Sequence, residues 1–491
     1  MRSAALAALA LLAGCHFLGG VRPCDTSADC TAGDVCDGSV CAAPEGEGEG
    51  EGEGEGEGEG EGEGEGEGGE GEGEGEGEGE GEGEGEGEGE PSPLGCARDP
   101  PAFADSACDP DDAPFGGGDG SAGAPFLICA VEQLQAIDAT QSAFVITRDL
   151  DLSAPWTPLT RIQGSLDGQG FTLRGLHFNA GTNLAFALQV SGAVERLEFE
   201  NPDVNGIDRL AVVAVVVDPA ALLRDVHVTG GVINSSRGNV GGLVVDLFGT
   251  IDECSFAGDI TNTAENSNLL NHGKVGGLAK DITDTGIARR SRFRGTIINT
   301  ADQTGGIVGQ SNGHLETVEA IVTVGTRTRM GGLVGTAASG SVVDTATVLG
   351  SVLATSSDGG GQVRIGGIFG ITIRPVDPAP PLNDVVVKDV FVEVDVDGDA
   401  DVDALVGRLE LEDSVAALPF PGDLRFDNVV VSTRFGDPSV FDEGAATGVL
   451  SLSDTAIREG TGLPFSTWDD DARWSVGNGE LPRLNLCATG P

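Results

Sequence analysis

Tyrosine is absent from the 491 residues, and only two methionines, three tryptophans and 4 % aromatic residues are present. Such a chain offers few of the aromatic platforms that usually line sugar-cleaving grooves. Basic residues are also scarce: 27 Lys and Arg stand against 80 Asp and Glu, for a formal net charge of -53. That charge repels nucleic acid and anionic membrane surfaces, so no nucleic-acid partner is expected. After residue 13 no apolar run is long enough to span a bilayer.

What the chain does have is glycine, 80 residues of it, together with much Val, Leu, Ile and Ala. Abundant Gly, Val, Thr and Asp with few aromatics favour many short strands and tight turns over helices. Much of the charge is local. Residues 45–90 hold 23 Glu and no other ionisable group, and 80 less 23 leaves 57 acids elsewhere against 27 bases. Glu and Gly alternate there with one slip at Gly68–Gly69. The glutamates repel one another and no apolar atom can be buried, so residues 45–95 read as a disordered tether. Fully extended, it reaches at most roughly 150–165 Å. It is a spacer, or a spacer that also attracts cations weakly.

The N-terminus reads MRSAALAALALLAGC. Arg2 precedes an apolar run from Ala4 to Ala13, the length of a signal-peptide h-region. The LAGC at Leu12–Cys15 resembles a bacterial lipobox. That resemblance implies a signal peptide over 1–14 and a lipid on Cys15, making the membrane a partner through the N-terminal lipid. His16 after it implies sorting to the outer membrane or cell surface.

Four cysteines follow within 18 residues, at Cys24, Cys30, Cys36 and Cys41. After a secretion signal they read as two disulfides in a mini-module over 15–44. Three pairings are open, with Cys24–Cys36 and Cys30–Cys41 favoured. Zinc is the rival, although zinc sites usually show closer C-x2-C pairs. Cys96, Cys108, Cys129, Cys254 and Cys487 are odd in number, which leaves at least one unpaired within the chain. Cys254 sits in a repeat strand and is the candidate for a buried free thiol.

Paired glycines recur at 241–242, 276–277, 305–306, 331–332 and 366–367, opening GGLV, GGLA, GGIV, GGLV and GGIF. Each leads through a small-residue turn into a second strand. Ile251, Cys254, Phe256 and Ile260 stand at offsets 0, 3, 5 and 9 in one of these. Leu223, Val226, Val228 and Val232 share the pattern, as do Leu315, Val318, Ala320 and Val324. Ile287, Ser291, Phe293, Ile297 and Val342, Ala346, Val348, Val352 follow it with one extra residue. The final steps alternate with period two, as an inward strand face demands, and the three-residue step marks a bend. A period of 20–50 residues means stacked coils that bury nothing alone and a continuous core together. The fold class is therefore all-β, a parallel β-solenoid, in preference to a β-sandwich. Its repeats run over 181–450, with a lead-in and cap over 96–180 and a C-terminal cap over 451–491. Gly241, Gly276, Gly305, Gly331 and Gly366 are expected to form a column, where glycine permits φ > 0 and close backbone approach. Trp156, Trp468 and Trp474 are expected to close the ends.

These GGLVG-type units resemble the GLUG-motif repeats of bacterial surface proteins. The run-in PFLICAVEQLQAI, DLDLS, WTPL and LDGQGFTLRGLHF and the finish STWDDDARWSVGNGELPRLNL share the resemblance. It implies a secreted, adhesin-like β-solenoid, and it supplies no catalytic residues.

Candidate chemistry is sparse. GQSNG at 309–313 fits G-x-S-x-G around Ser311, but lies in an inter-strand turn without a downstream histidine for a triad. EVDVDGDADVD at 393–403 offers Asp395, Asp397 and Asp399 to calcium, yet lacks a bidentate carboxylate at Ala404 and reads more plainly as a strand. ARRSRFR at 288–294 reads as an exposed strand face rather than a patch for an anionic ligand. The chain is accordingly expected to be non-catalytic and without cofactor, displayed at a surface and binding a glycan or protein through a solenoid flank. A structural envelope protein and a glycan-active β-helix enzyme are the alternatives.

Overall fold

The computed structural model describes residues 22–23, 35–37, 40–42, 91–137, 140–263, 273–300, 302–326, 329–354, 364–374, 384–397, 402–403, 405–406, 409–411, 424–434, 448–477 and 479–488. Cys15, Cys24, Cys30, the side chains of Cys36 and Cys41, and the Glu-Gly tether lie outside them, so the disulfide pairing of the N-terminal module does too. Of that module, Arg22–Pro23, Val35–Asp37 and Val40–Ala42 form a small antiparallel sheet that sets the Cys36 backbone opposite Cys41.

From Phe126 the chain winds as a parallel β-solenoid. Each repeat contributes one strand to each of three parallel stacks. A short strand such as Gln303–Gly305 enters the paired glycines, a second such as Val308–Ser311 leaves them, and a long strand such as His314–Thr326 completes the coil. The glycines stack in register: Gly241 on Gly276, Gly276 on Gly305, Gly305 on Gly331 and Gly331 on Gly366.

Space, rather than backbone handedness, is what requires them. None of the paired glycines has positive φ. A Cβ on Gly277 would lie 2.0 Å from the Gly306 carbonyl oxygen and 2.3 Å from the Phe293 ring. The residue after each pair is large and apolar: Leu243, Leu278, Ile307, Leu333 and Ile368 each hydrogen-bond to the next through the backbone and are fully buried. The third glycine of the motif, at Gly309, Gly335 and Gly370, also lies against backbone, with the Met330 nitrogen 2.4 Å from a Cβ placed on Gly370. Where the motif degenerates, Val245 and Lys280 hold that column and are buried. The Lys280 ammonium is then satisfied by Asp246 and Asp281, each at 2.7 Å.

The long strands carry the core. Phe256 stacks on Phe293 with ring centroids 5.8 Å apart, above Ala320, Val348 and Val392 in the same column. Burying such rows stabilises by roughly 25 cal/mol per Å² of apolar surface removed from water. Three sequence assignments shift by one residue. Ala288 and Val343, not Ile287 and Val342, align with Leu315 and Val387, so these repeats contain no extra residue. A register shift between Thr229 and Gly231 turns Val232 outward and puts Ile233 into the core opposite Ile260. At the ends of the long strands Asn262 donates to Asn299 at 2.8 Å, and Asn299 donates to Gly273 at 2.7 Å. That ladder gives both side-chain amide nitrogens buried acceptors, although Asn262 Oδ1 is left without a partner.

Each long strand bends at the three-residue step, and the bend has a fixed conformation. Arg196, Asp225, Glu253, Arg290, Thr317, Thr345, Asp389 and Asn428 all have φ between 47° and 67°. A left-handed non-glycine residue costs on the order of 1–2 kcal/mol. Here it recurs in coil after coil, and it turns the flanking side chains into one outer corner.

The first coil is closed by the lead-in. Gly116 and Gly117 pair with the free edge of Leu127, Phe115 stacks on Phe126 at 4.5 Å, and Cys108 is bonded to Cys129. Trp156 stacks on Phe186 and donates to its carbonyl oxygen at 3.1 Å. Trp468 and Trp474 stack at 4.2 Å, but they lie against the side of the solenoid rather than its end. With Phe465 and Leu484 they share one buried cluster with Ile321, Leu349, Phe391 and Val430, outward residues of the long strands. Cys254 is a buried free thiol.

Candidate functional site

The left-handed corner gathers charge, and two terminal segments lie along it. On the N-terminal side, Arg98 grips Asp225 through Nε and Nη2 at 2.7 and 3.0 Å and donates from Nη1 to Glu198 at 2.6 Å. On the C-terminal side, Trp468 Nε1 donates to Asp389 at 3.1 Å. Cys96 and Cys487 join the two segments by a disulfide.

Beneath Arg98 lies an arrangement that sequence spacing did not suggest. His227 Nε2 is 2.7 Å from Asp225 Oδ1, and its Nδ1 is 2.8 Å from Ser255 Oγ. The carboxylate, imidazole and hydroxyl are in line, but the His227 side chain has no exposed surface and Arg98 occupies the carboxylate. With Arg98 in place no substrate bond can reach the imidazole. Burial pushes His227 below the usual histidine range. Burial alone would raise Asp225, but the hydrogen bonds from His227 and Arg98 outweigh it and hold the carboxyl below its usual range.

Two coils further on the corner opens into a cavity of about 250 Å³. Arg289, Arg290 and Arg473 line it with Glu316, Thr317, Asp344 and Ala488. Arg290 is held by Asp252 at 2.8 and 2.6 Å and by Glu253 at 2.7 Å. Its hydrogen bonds to Asp252 hold the guanidinium above its usual pKa. Arg289 donates from Nη2 to Asp252 at 2.9 Å, while its buried Nε has no partner. Arg473 is bidentate to Asp471 and stands 3.9 Å from Asp344. Arg289 and Arg290 belong to the ARRSRFR cluster, so this stretch is not merely an exposed strand face: two of its arginines form one wall of the cavity, and Arg292 pairs with Glu319. The third arginine and Ala488 come from the C-terminal segment, which no local spacing could have indicated.

The other candidates do not join this site. Ser311 is buried, its Oγ engaged with Gly313, and the neighbouring His314 ring lies near Glu316 instead. Asp395 lies on the strand Val385–Asp397, whose Val390 and Val392 point inward; Asp399 and the Asp397 side chain lie outside the described residues. Among the described residues no three His, Cys, Asp or Glu side chains gather to hold a metal.

No family model matches the chain. Two curated proteins match parts of it. Halomucin of Haloquadratum walsbyi is 36 % identical over 115 residues, 20 % of this chain. Immunoglobulin A1 protease of Streptococcus pneumoniae is 32 % identical over 155 residues, 30 % of this chain. The chain spans 1 % and 7 % of the length of these relatives. Among solved structures, a provisionally named immunoglobulin A1 protease from Bacteroides ovatus is 16 % identical, covering 76 % of this chain and 96 % of that one, with a TM-score of 0.39. A second, named IgA1 protease, is 17 % identical over 66 % of this chain and 23 % of that one, with a TM-score of 0.38.

The expectation of a non-catalytic chain does not stand: the matched Streptococcus pneumoniae protein carries the name of a protease. The absence of a legible catalytic motif was the ground for that expectation. It is a weak ground, because residues brought together by folding, as Asp225, His227 and Ser255 are, leave no motif in the sequence.

Proposed function

We propose that this chain is an extracytoplasmic surface protein that engages a glycan or a protein through the charged corner of its solenoid. The observation that carries this is the arginine-lined cavity, built jointly by the long strands and the disulfide-joined C-terminal segment. A rigid stack holds its side chains in fixed positions, and preorganised polar groups favour specific binding. The matches to Halomucin and to an immunoglobulin A1 protease support a role at a surface. The lipobox-like LAGC supports anchoring through lipid on Cys15, and the Glu-Gly tether would hold the solenoid away from the membrane. The GLUG resemblance of the paired-glycine units fits the same setting.

The test is binding of the full chain to glycan arrays, host-cell surfaces and immunoglobulin A1, with cleavage of the immunoglobulin followed in the same samples. Binding that weakens when cavity arginines are replaced supports the proposal. Absence of binding to every surface overturns it. Metabolic labelling with a fatty acid, lost in Cys15→Ser, tests the anchor.

A further inference from the structure

We propose that the Cys96–Cys487 disulfide is a mechanical branch point that divides tension between the early and the late coils of the solenoid. This rests on the reading of the chain as a surface protein anchored through its N-terminus and bound through its corner. Tension between those two holds enters the folded part at Pro91, next to the Glu-Gly stretch that ends at Glu90. At Cys96 the covalent path divides. One branch follows the chain to the early coils. There Arg98, 7 % exposed, joins Glu198 of the strand Ala193–Glu200 to Asp225 of the strand Leu222–Ser235. Beyond it the Phe103 N–H donates to Gln169 Oε1 at 2.9 Å, and Cys108 is bonded to Cys129. The other branch crosses to Cys487 and the C-terminal segment, whose Phe465 and Trp468 share a buried cluster with Ile321, Leu349, Phe391 and Val430. Those four residues stand on successive long strands, from His314–Thr326 to Leu424–Ser432.

Stacked coils fail in a particular way. Each is held chiefly by its neighbours, so a pull on one end of the chain draws coils off singly. With Cys96 tied to Cys487, the early coils are drawn off only after the C-terminal segment has also torn from the late ones. Two attachments must then fail together, and forced unfolding, which is governed by the unfolding rate, slows accordingly. Ala488, next to Cys487, lines the corner cavity, so the second branch ends beside the candidate binding site.

The experiment holds the full chain in an optical trap at two points. One handle is at its N-terminus, and the other is on an azide-bearing residue substituted for Glu316, a corner position 39 % exposed on the strand His314–Thr326. At one constant force the native chain is expected to hold at least ~10-fold longer than the Cys96→Ser, Cys487→Ser variant, as the usual stabilisation by a disulfide closing a long loop implies. The variant should lengthen in steps of one coil, 26 to 35 residues by the glycine-pair spacing, each roughly 85–125 Å when drawn out. Thermal melts establish that the variant is folded. If it is not, dithiothreitol added to a Cys108→Ser, Cys129→Ser chain already folded and held supplies the same comparison. Equal lifetimes with and without the bond overturn the proposal. So do coil-sized steps that begin at the same force in both forms. Either result leaves the broader reading untouched, because the trap itself supplies both holds, whereas loss of surface binding removes that reading and not the branch point.

Discussion

Cys96 and Cys487, 391 positions apart, are covalently joined with their Cα atoms 5.2 Å from each other. The bond closes nearly the whole folded part of the chain into a ring and fastens two segments along one corner of the solenoid.

Breaking that bond should therefore loosen the corner before it loosens the stack. In the chain-entropy picture a long closed loop is worth on the order of 2–5 kcal/mol. A Cys96→Ser, Cys487→Ser double variant is expected to show faster hydrogen exchange over 91–100 and 479–488. The long strands, which depend on their neighbours rather than on the clasp, should keep their protection. Uniform acceleration throughout would contradict this.

Acid should act on the same corner through His227. Arg98, Asp225 and Glu198 surround the ring, and burial holds its pKa below the unfolded value of about 6.5. The unfolded state then binds the extra proton first, so stability is complete above that value and falls as pH drops below it. The depressed Asp225 adds a further loss at still lower pH, in the carboxylate range. Thermal midpoints between pH 8 and pH 5 should decline in the native chain and flatten in His227→Gln.

Gly277→Ala is expected to destabilise by roughly 1–3 kcal/mol, because the new methyl meets backbone and a buried ring that cannot move away. Gly123→Ala, with no atom within 4 Å of its Cβ, is the matched control and should be close to neutral. Denaturant melts compare the two directly.

Cys254 should resist alkylation. It is fully buried, and desolvation pushes its thiol well above the ordinary range, so little thiolate forms at neutral pH. Iodoacetamide is expected to label it only after unfolding. Rapid labelling of the native chain would show that the strands open locally.

The coil stack was legible because its cause is local and repeated. A glycine pair every 26 to 35 residues marks the same crowded point in each coil, and Gly241 through Gly366 indeed face one another in sequence order. The corner was legible only as a three-residue step. Its left-handed positions are filled by Arg, Asp, Glu, Thr and Asn, of which only Asp and Asn favour positive φ. One-residue errors at Ile287 and Val342 arose because an isoleucine beside an alanine, and the first of two adjacent valines, look inward-facing, whereas register places Ala288 and Val343 there. The cavity was half legible. ARRSRFR showed the charge, but Arg473 reaches it from 183 positions beyond Arg290, and only folding reveals that.

Because Gly305 and Gly331 meet in one register, the 26 residues between them act as a rung of constant height, about 4.8 Å. The molecule is thus a ruler. Adding or removing one such rung would change how far its two ends stand apart by a fixed increment, and would leave the cross-section of every other rung as it was.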